Sequence, residues 1–538
     1  MPPSFPVAPR PLCACGLLVA ILLAAAPLAA PPARAAVTLA PFFGDHAVLQ
    51  RDRPLPVWGR ARPGERVAVR FGGAAAETVA GPDGAWSVEL PALPASSEPR
   101  DLVAAGDDTV VARDVLVGDV WLASGQSNMD WSLGGCDAPE EIAAADHPGI
   151  RHFRVPMHFA AAPQRECGGA WQRCTPAQAA GFSAVGYAFA RRVHRDTGAP
   201  VGILLSSVGG TNIECWMRQE TLLGTPELEP FAALMRTSLE THDRELRAAL
   251  PAVEAWTRAA REAEGAGRPV PLPPSIPPFP FGEQGHRPRC VTLHNGMIEP
   301  LVPLAIRGAI WYQGENNAGG PAECAQYVAK KRALVADWRR FFRDPELPFY
   351  FVQLAAWLAP TDDPAGGDGW AAFRDAQRLC LAIPGTGMAS AIDVGDAGDI
   401  HPRNKFDVGE RLALAALAGT YGRGGESSGP LFRRLVVAGN VARVEFDHLG
   451  GGLMVGRKEG RAPVAEVPGG ALARFAIAGA DRRWQWADAR IVGDAVECTH
   501  PSVPEPVAVR YAYSMNPAGA NLYNRAGLPA SPFRSDDW

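Results

Sequence analysis

The chain has 538 residues of ordinary globular composition, too many for one hydrophobic core, which sets an expectation of roughly three domains. Lys and Arg number 52 against 57 Asp and Glu, a formal charge of −5 with no basic block. That balance excludes nucleic acid or an anionic membrane surface as the principal partner and directs attention to a small-molecule or carbohydrate substrate.

Residues 1–36 read as a signal peptide. Arg10 precedes an apolar run over 16–30, Pro27, Pro31 and Pro32 end that run early, and Ala33-Arg-Ala35 has the small-x-small form of a cleavage site. A start-of-chain anchor is the alternative reading. The expectation is a secreted or periplasmic mature protein with no integral membrane segment. Cys13 and Cys15 leave with the signal and eight cysteines remain, an even number that favours disulfides in an oxidising compartment; Cys167 and Cys174 are the pair expected to bridge.

Residues 37–114 show short alternating segments broken by turns, among them 55–58, 66–70 and 85–90, with Gly81-Pro-Asp-Gly84 as turn chemistry. This is a small N-terminal β domain. From 115 to 428 the rhythm changes to apolar strands alternating with helical segments: strands over 115–123, 201–207, 306–312, 349–354 and 388–394, helices over 322–342 and 408–421. Such alternation predicts an α/β domain, a parallel sheet covered by helices on both faces, with ligands at the carboxyl ends of the strands. Residues 221–290, a charged helical stretch over 240–264 followed by the proline-rich run 271–280, interrupt the order and read as an insertion near the site rim. From 429 to 538 short β segments return, including 441–446 and 507–513, as a C-terminal β region.

Every polar cluster of the middle domain falls where a strand ends. Ser127 follows the first strand in the turn opened by Ser124-Gly125; it is either a helix N-cap or an acyl-transfer nucleophile. Gly209-Gly210 follows the second strand, 313–317 the third, and Asp399-Ile-His401 the fifth. Serine as nucleophile, histidine as base and a carboxylate to orient it is the recurring arrangement for ester hydrolysis, and backbone or side-chain amides from other strand ends complete an oxyanion hole. The G-x-S-x-G elbow of the ordinary α/β-hydrolases is absent. Glu315 paired with Asp399 suggests glycoside hydrolysis instead, a reading that leaves Ser127 without a task. Trp131, Trp216, Trp311 and Trp357 are either core or sugar-stacking platforms.

Four motifs, Gly125-Gln-Ser-Asn-Met129, Gly209-Gly-Thr211 with Glu214 and Trp216, Trp311-Tyr-Gln-Gly-Glu315 and Asp399-Ile-His-Pro402, resemble the sialate O-acetylesterase family of SGNH hydrolases. The likeness extends to both flanks, in Phe43-Gly-Asp-His-Ala-Val-Leu-Gln50 with Val57-Trp-Gly59 and in Gly519-Ala-Asn-Leu-Tyr523 with Pro532-Phe-Arg534. The resemblance implies a three-layer flavodoxin-like SGNH core with flanking β-sandwich regions, no metal, no cofactor, and removal of acetyl groups from sugar hydroxyls. Residue by residue it implies Ser127 as nucleophile, His401 as base, and the Ser127 amide, Gly210 and Gln313 as oxyanion donors; Asp399, the carboxylate nearest the histidine in sequence, is the expected acid. Asn128, Glu315 and Trp216 are the expected substrate contacts. Two departures stand out: the nearest carboxylate, Asp399, lies two residues before the histidine where many relatives place the acid three before, at Gly398 here, and where many have asparagine this chain offers Gln313, with Asn316 and Asn317 as the alternatives. The substrate class is an O-acetylated carbohydrate, of the sialate 9-O-acetyl type or, alternatively, acetylated xylan or xylo-oligosaccharide. A protein that binds sugar without turnover is the rival from another class.

Overall fold

The computed structural model describes residues 37–281 and 290–538. The signal peptide expected over 1–36, and residues 282–289 of the insertion, lie outside the described residues. Among the described residues no helix is long and apolar enough to cross a membrane.

The apolar run expected over 115–123 is the middle of a longer strand, β1 (Thr109–Gly125), whose second half is buried on both faces. Burial on both faces is what a central strand of a parallel sheet requires. Five more parallel strands form around it: β2 (His147–Arg154), β3 (Val201–Ser207), β4 (Gly308–Tyr312), β5 (Phe349–Gln353) and β6 (Thr386–Ser390). Their order is β2-β3-β1-β4-β5-β6, with a short antiparallel strand, Trp171–Cys174, outside β2. Strands β2 and Trp171–Cys174 were not expected. The arginines and histidines of His147-Pro-Gly-Ile-Arg-His-Phe-Arg154 break the apolar run by which the others are read, although Arg151 and His152 are buried here.

Helices cover both faces. Trp121 of β1 and Tyr350 of β5 point to one face, where Trp121 meets Phe189 of α1 (Ala184–Thr197) edge-on at 5.0 Å. On the other face Trp311 and Phe349 pack on Trp338 of α3 (Pro321–Phe341), with α2 (Glu229–Gly265) preceding it in the chain. Tyr327 of α3 lies 4.3 Å from Phe373 of α4 (Gly369–Leu379). The last helix, α5 (Lys405–Gly419), packs on α1 so closely that a Cβ at Gly409 would sit 2.6 Å from Ala188. The insertion folds on itself: Trp256 of α2 donates to the Pro271 carbonyl at 2.8 Å, and Phe279 meets His242 edge-on.

The small β region before the core has a three-stranded sheet (Thr38–Leu39, Leu55–Arg60, Ala85–Leu90), while its other strands pair with one another and with residues 109–118 of β1. β1 runs through residues 114 and 115, so this region and the core share one strand. The C-terminal region contributes two four-stranded antiparallel sheets and a small three-stranded one, with a core of its own around Val444, Phe475, Tyr511 and Phe533. It is tied to the parallel sheet by Arg374 of α4. This fully buried guanidinium donates to the carbonyls of Leu354 and Ala355 beyond β5 and of Ser514 and Met515 in the C-terminal region.

The disulfide expected between Cys167 and Cys174 is not formed. The strand turns Cys174 inward, where its thiol donates to the Ala145 carbonyl, while Cys167 lines a surface cleft with Trp58 and Trp86.

Candidate active site

β1 ends in Gly125, whose φ of +127° is open to glycine and strained for other residues; a Cβ there would stand 2.2 Å from the Tyr312 carbonyl at the end of β4. The chain turns sharply at this close approach into a short helix, Ser127–Asp130, so Ser127 lies at the carboxyl end of the sheet with its N–H at a helix start, where no intrahelical acceptor exists. Strands β3 and β4 flank β1, and the chain changes sides of β1 between them. A crevice at such a switch point is where an open parallel sheet binds its ligand.

Two other loops converge on this serine. Gly209, after β3, comes so close that a Cβ on it would lie 3.2 Å from Ser127 Cβ. Gly210, with φ +70°, has no atom within 4 Å of where its Cβ would be and so borders open space. The loop after β6 is wound by two successive aspartates: Asp396 Oδ1 accepts from Gly398 N, and Asp399 Oδ1 accepts from His401 N, each at 2.8 Å. This winding brings His401 Nε2 to 2.8 Å from Ser127 Oγ, across 274 residues of sequence. Asp399 Oδ1 lies 3.3 Å from His401 Nδ1, on a side chain 35% exposed. Two residues of spacing therefore bring the Asp399 carboxylate to the imidazole, at a loose distance.

Trp131 stacks on the imidazole from the side, ring centres 4.9 Å apart and planes within 15°. Its face is thus occupied by His401. Burial holds His401 below its usual pKa of 6.5, the Lys405 cation adds to that effect and Asp399 opposes it. The His401 N–H bond holds the Asp399 carboxyl below the ordinary carboxylate range. A neutral imidazole with an ionised neighbour is the form that accepts a proton from a hydroxyl.

Several expected site residues point elsewhere. Gln313 is fully buried, with its amide N–H groups on the Thr211 carbonyl at 3.1 Å and Asn317 Oδ1 at 2.7 Å, and its Oε1 accepts from Tyr327. Both donors are spent inside the protein, so Gln313 offers none to a ligand. Trp216 is also fully buried, its indole N–H on Thr211 Oγ1 and its ring edge-on to Trp311, which makes it core rather than a sugar platform. Asn128 follows Ser127 but turns inward, between Glu315 and Lys405. Glu315 has one carboxylate oxygen on Asn128 and the other buried without a hydrogen-bond partner in the described residues. It lies on the loop after β4 beside Ser127, with its pKa raised by burial. Sequence reasoning missed Lys405 altogether. A lysine at a helix start gives no sign that its ammonium is buried.

A family model described as carbohydrate esterase, sialic acid-specific acetylesterase, matches residues 117–250 and 291–418. The sialate O-acetylesterase of Rattus norvegicus is 29% identical over 454 residues, 77% of this chain and 78% of that protein. That of Homo sapiens is 27% identical over 465 residues, 79% of this chain and 76% of that protein. Among solved structures, a carbohydrate acetylesterase from Xanthomonas citri is 39% identical with a TM-score of 0.76, over 94% of this chain and all of that one.

Proposed function

Because the chain belongs to the sialate O-acetylesterase family of carbohydrate esterases and is a carboxylic ester hydrolase, we propose that it deacetylates sugars through Ser127 and His401. The observation that carries this reading is the 2.8 Å contact of Ser127 Oγ with His401 Nε2 at the carboxyl end of β1. His401 takes the serine proton as Oγ attacks the acetyl carbonyl, and the developing oxyanion sits against the Ser127 and Gly210 amides. His401 then gives the proton to the sugar oxygen as its bond to the acetyl carbon breaks, and the sugar leaves as a hydroxyl. Water, activated by the same imidazole, releases acetate, and Asp399 orients the ring throughout. Gln313 enters as the brace of the Gly209–Thr211 loop, in place of the donor role its motif position implies.

The parallel strands between paired helices are read as the three-layer SGNH core, with the flanking β regions as sandwiches. The substrate is an O-acetylated carbohydrate; the curated relatives are named sialate O-acetylesterases, which favours a sialate, and the 9-O-acetyl type is the preferred reading with acetylated xylo-oligosaccharide as the second. Residues 1–36 make the protein exported. The reading as a sugar-binding protein without turnover is dropped, since the family is one of hydrolases.

Ser127→Ala should abolish acetate release with the melting temperature unchanged, because one hydroxyl at a strand end contributes little to packing. A fluorophosphonate probe should label the wild type at Ser127 and leave the variant unlabelled. Labelling elsewhere, with activity retained in the variant, would sink the assignment. Acetate release from 9-O-acetylated sialic acid against acetylated xylo-oligosaccharide, compared by kcat/KM, separates the two substrates.

A further inference from the structure

We propose that Lys405 is a positioning residue: with Glu315 it fixes the Asn128 carboxamide between two loops, and so holds His401 in line with Ser127. The inference rests on the Ser127–His401 assignment above.

Asn128 immediately follows Ser127. Its Oδ1 accepts from Lys405 Nζ at 2.5 Å, and its Nδ2 donates to Glu315 Oε1 at 2.5 Å and to the Ile400 carbonyl at 3.1 Å. Lys405 Nζ also donates to the Pro402 carbonyl at 2.7 Å. Ile400 and Pro402 are the residues on either side of His401. One buried cluster therefore grips the residue next to the serine and both residues next to the histidine, and each reacting side chain is one residue away from the clamp.

The charges give the amide its direction. A carboxamide has an acceptor end and a donor end. With an ammonium on one side and a carboxylate on the other, a flipped Asn128 would turn N–H groups toward the cation and its oxygen toward the anion. The Ile400 carbonyl, which can only accept, favours the same orientation. Asn128 and Lys405 are shut off from solvent, Lys405 having a relative exposure of 0%, so water cannot substitute for either bond. The ammonium also stands 5.7 Å from the centre of Trp131, the ring stacked on His401, and 5.9 Å from that of Tyr312.

The cluster acts on charge as well as position. Facing Lys405 are Glu315 from the loop after β4, Cys136 from the turn beyond Trp131, and Asp399 and Arg403 from its own loop. Facing His401 are Asp399, Arg403 and Lys405. Burial lowers the Lys405 pKa to about 8, which leaves it a cation through the acidic and neutral range. A fixed cation behind the imidazole disfavours imidazolium, so it extends the neutral, proton-accepting form of His401 to lower pH.

The test uses the full chain carrying Lys405→Met, Glu315→Gln and both together, assayed on a small aryl acetate from pH 4.5 to 8.5, with a melting curve for each. Each single variant should lose about 10- to 100-fold in kcat, the scale of misplacing reacting groups by an ångström, with KM changed less than about threefold. Lys405→Met should also move the acidic limb of kcat/KM to higher pH. The double variant leaves no unpaired buried charge and should lose no more than the worse single one, a non-additivity expected of residues that act as a unit. If Lys405→Met does not fold, the kcat of Glu315→Gln and its KM decide. Retained kcat and an unmoved acidic limb in folded variants, with only the melting temperature lowered, would overturn the proposal. Ser127→Ala in the same assay distinguishes the failures: activity there sinks the assignment itself, whereas an inactive Ser127→Ala beside a normal Lys405→Met sinks the clamp alone.

Discussion

Asp399→Asn tests how much the acid contributes when it is loosely placed. The substitution keeps an oxygen that accepts from His401 N–H and removes the charge beside the ring, so the loop keeps its winding and the electrostatic effect is isolated. At the observed 3.3 Å, two unit charges interact by about 1.3 kcal/mol in bulk water and about 5 kcal/mol at an effective dielectric of 20. The carboxylate is 35% exposed, which places the interaction near the aqueous end, at about 1–2 kcal/mol, or about 5- to 30-fold in kcat. In the best-studied triad, where the aspartate is buried and tightly bonded, the same change costs about 10⁴-fold. The pH profile supplies a second, signed readout. Activity needs neutral His401, so wild-type kcat/KM rises with pH through an ionisation below 6.5. Asp399 favours the imidazolium, so its neutralisation should move that limb to still lower pH. Stopped-assay kcat and KM on an aryl acetate between pH 4.5 and 8.5 give both quantities. A loss of four orders of magnitude, or a limb that moves to higher pH, would refute the reasoning and indicate an acid that closes on the ring only with substrate bound.

Asp393 and Asp396, on the same loop, should respond differently from Asp399 and from each other. Asp393 is buried in a two-bond ion pair with Arg411 at 2.6 and 2.8 Å, so Asp393→Asn should lower stability by about 3–5 kcal/mol in urea melts, because it leaves the Arg411 charge unpaired. Asp396→Asn keeps an acceptor for Gly398 N on an exposed side chain, and its kcat should stay within about twofold of wild type, the natural control for Asp399→Asn. Lys331, fully buried among Trp311, Tyr327, Phe349 and Phe351 with Nζ lacking a hydrogen-bond partner in the described residues, has its pKa lowered by burial to about 7. Unfolding therefore takes up a proton between about pH 7 and the ordinary lysine value near 10.4, and stability rises with pH across that window. Lys331→Met should remove this slope and stabilise the protein by about 1–2 kcal/mol at pH 6, read from denaturant midpoints; an unchanged midpoint would mean that the ammonium finds solvent.

The sequence by itself determined the strands and the loops that end them. A strand buried on both faces must be apolar along its length, so β1, β3, β4 and β5 stand out in any window, and the residues that stop them, Gly125 with Ser127, Gly209-Gly210 and the Asp399-to-His401 turn, follow at once. It also placed Ser127 and His401 on one edge of the sheet, since a parallel sheet leaves all its strand-end loops on the same side. The tertiary structure alone decided what depends on partners far along the chain. Strand β2 is invisible locally because its arginines and histidines find their burial and partners only once it lies beside β3. The inward turn of Gln313, Asn128 and Trp216 is likewise decided by acceptors and rings on other loops: a carboxamide at a strand end points to solvent or to the core according to which donor or acceptor reaches it first. Lys405 shows the limit most sharply, because its stem and ammonium are buried only where Asn128, 277 positions away, closes over the loop that carries His401.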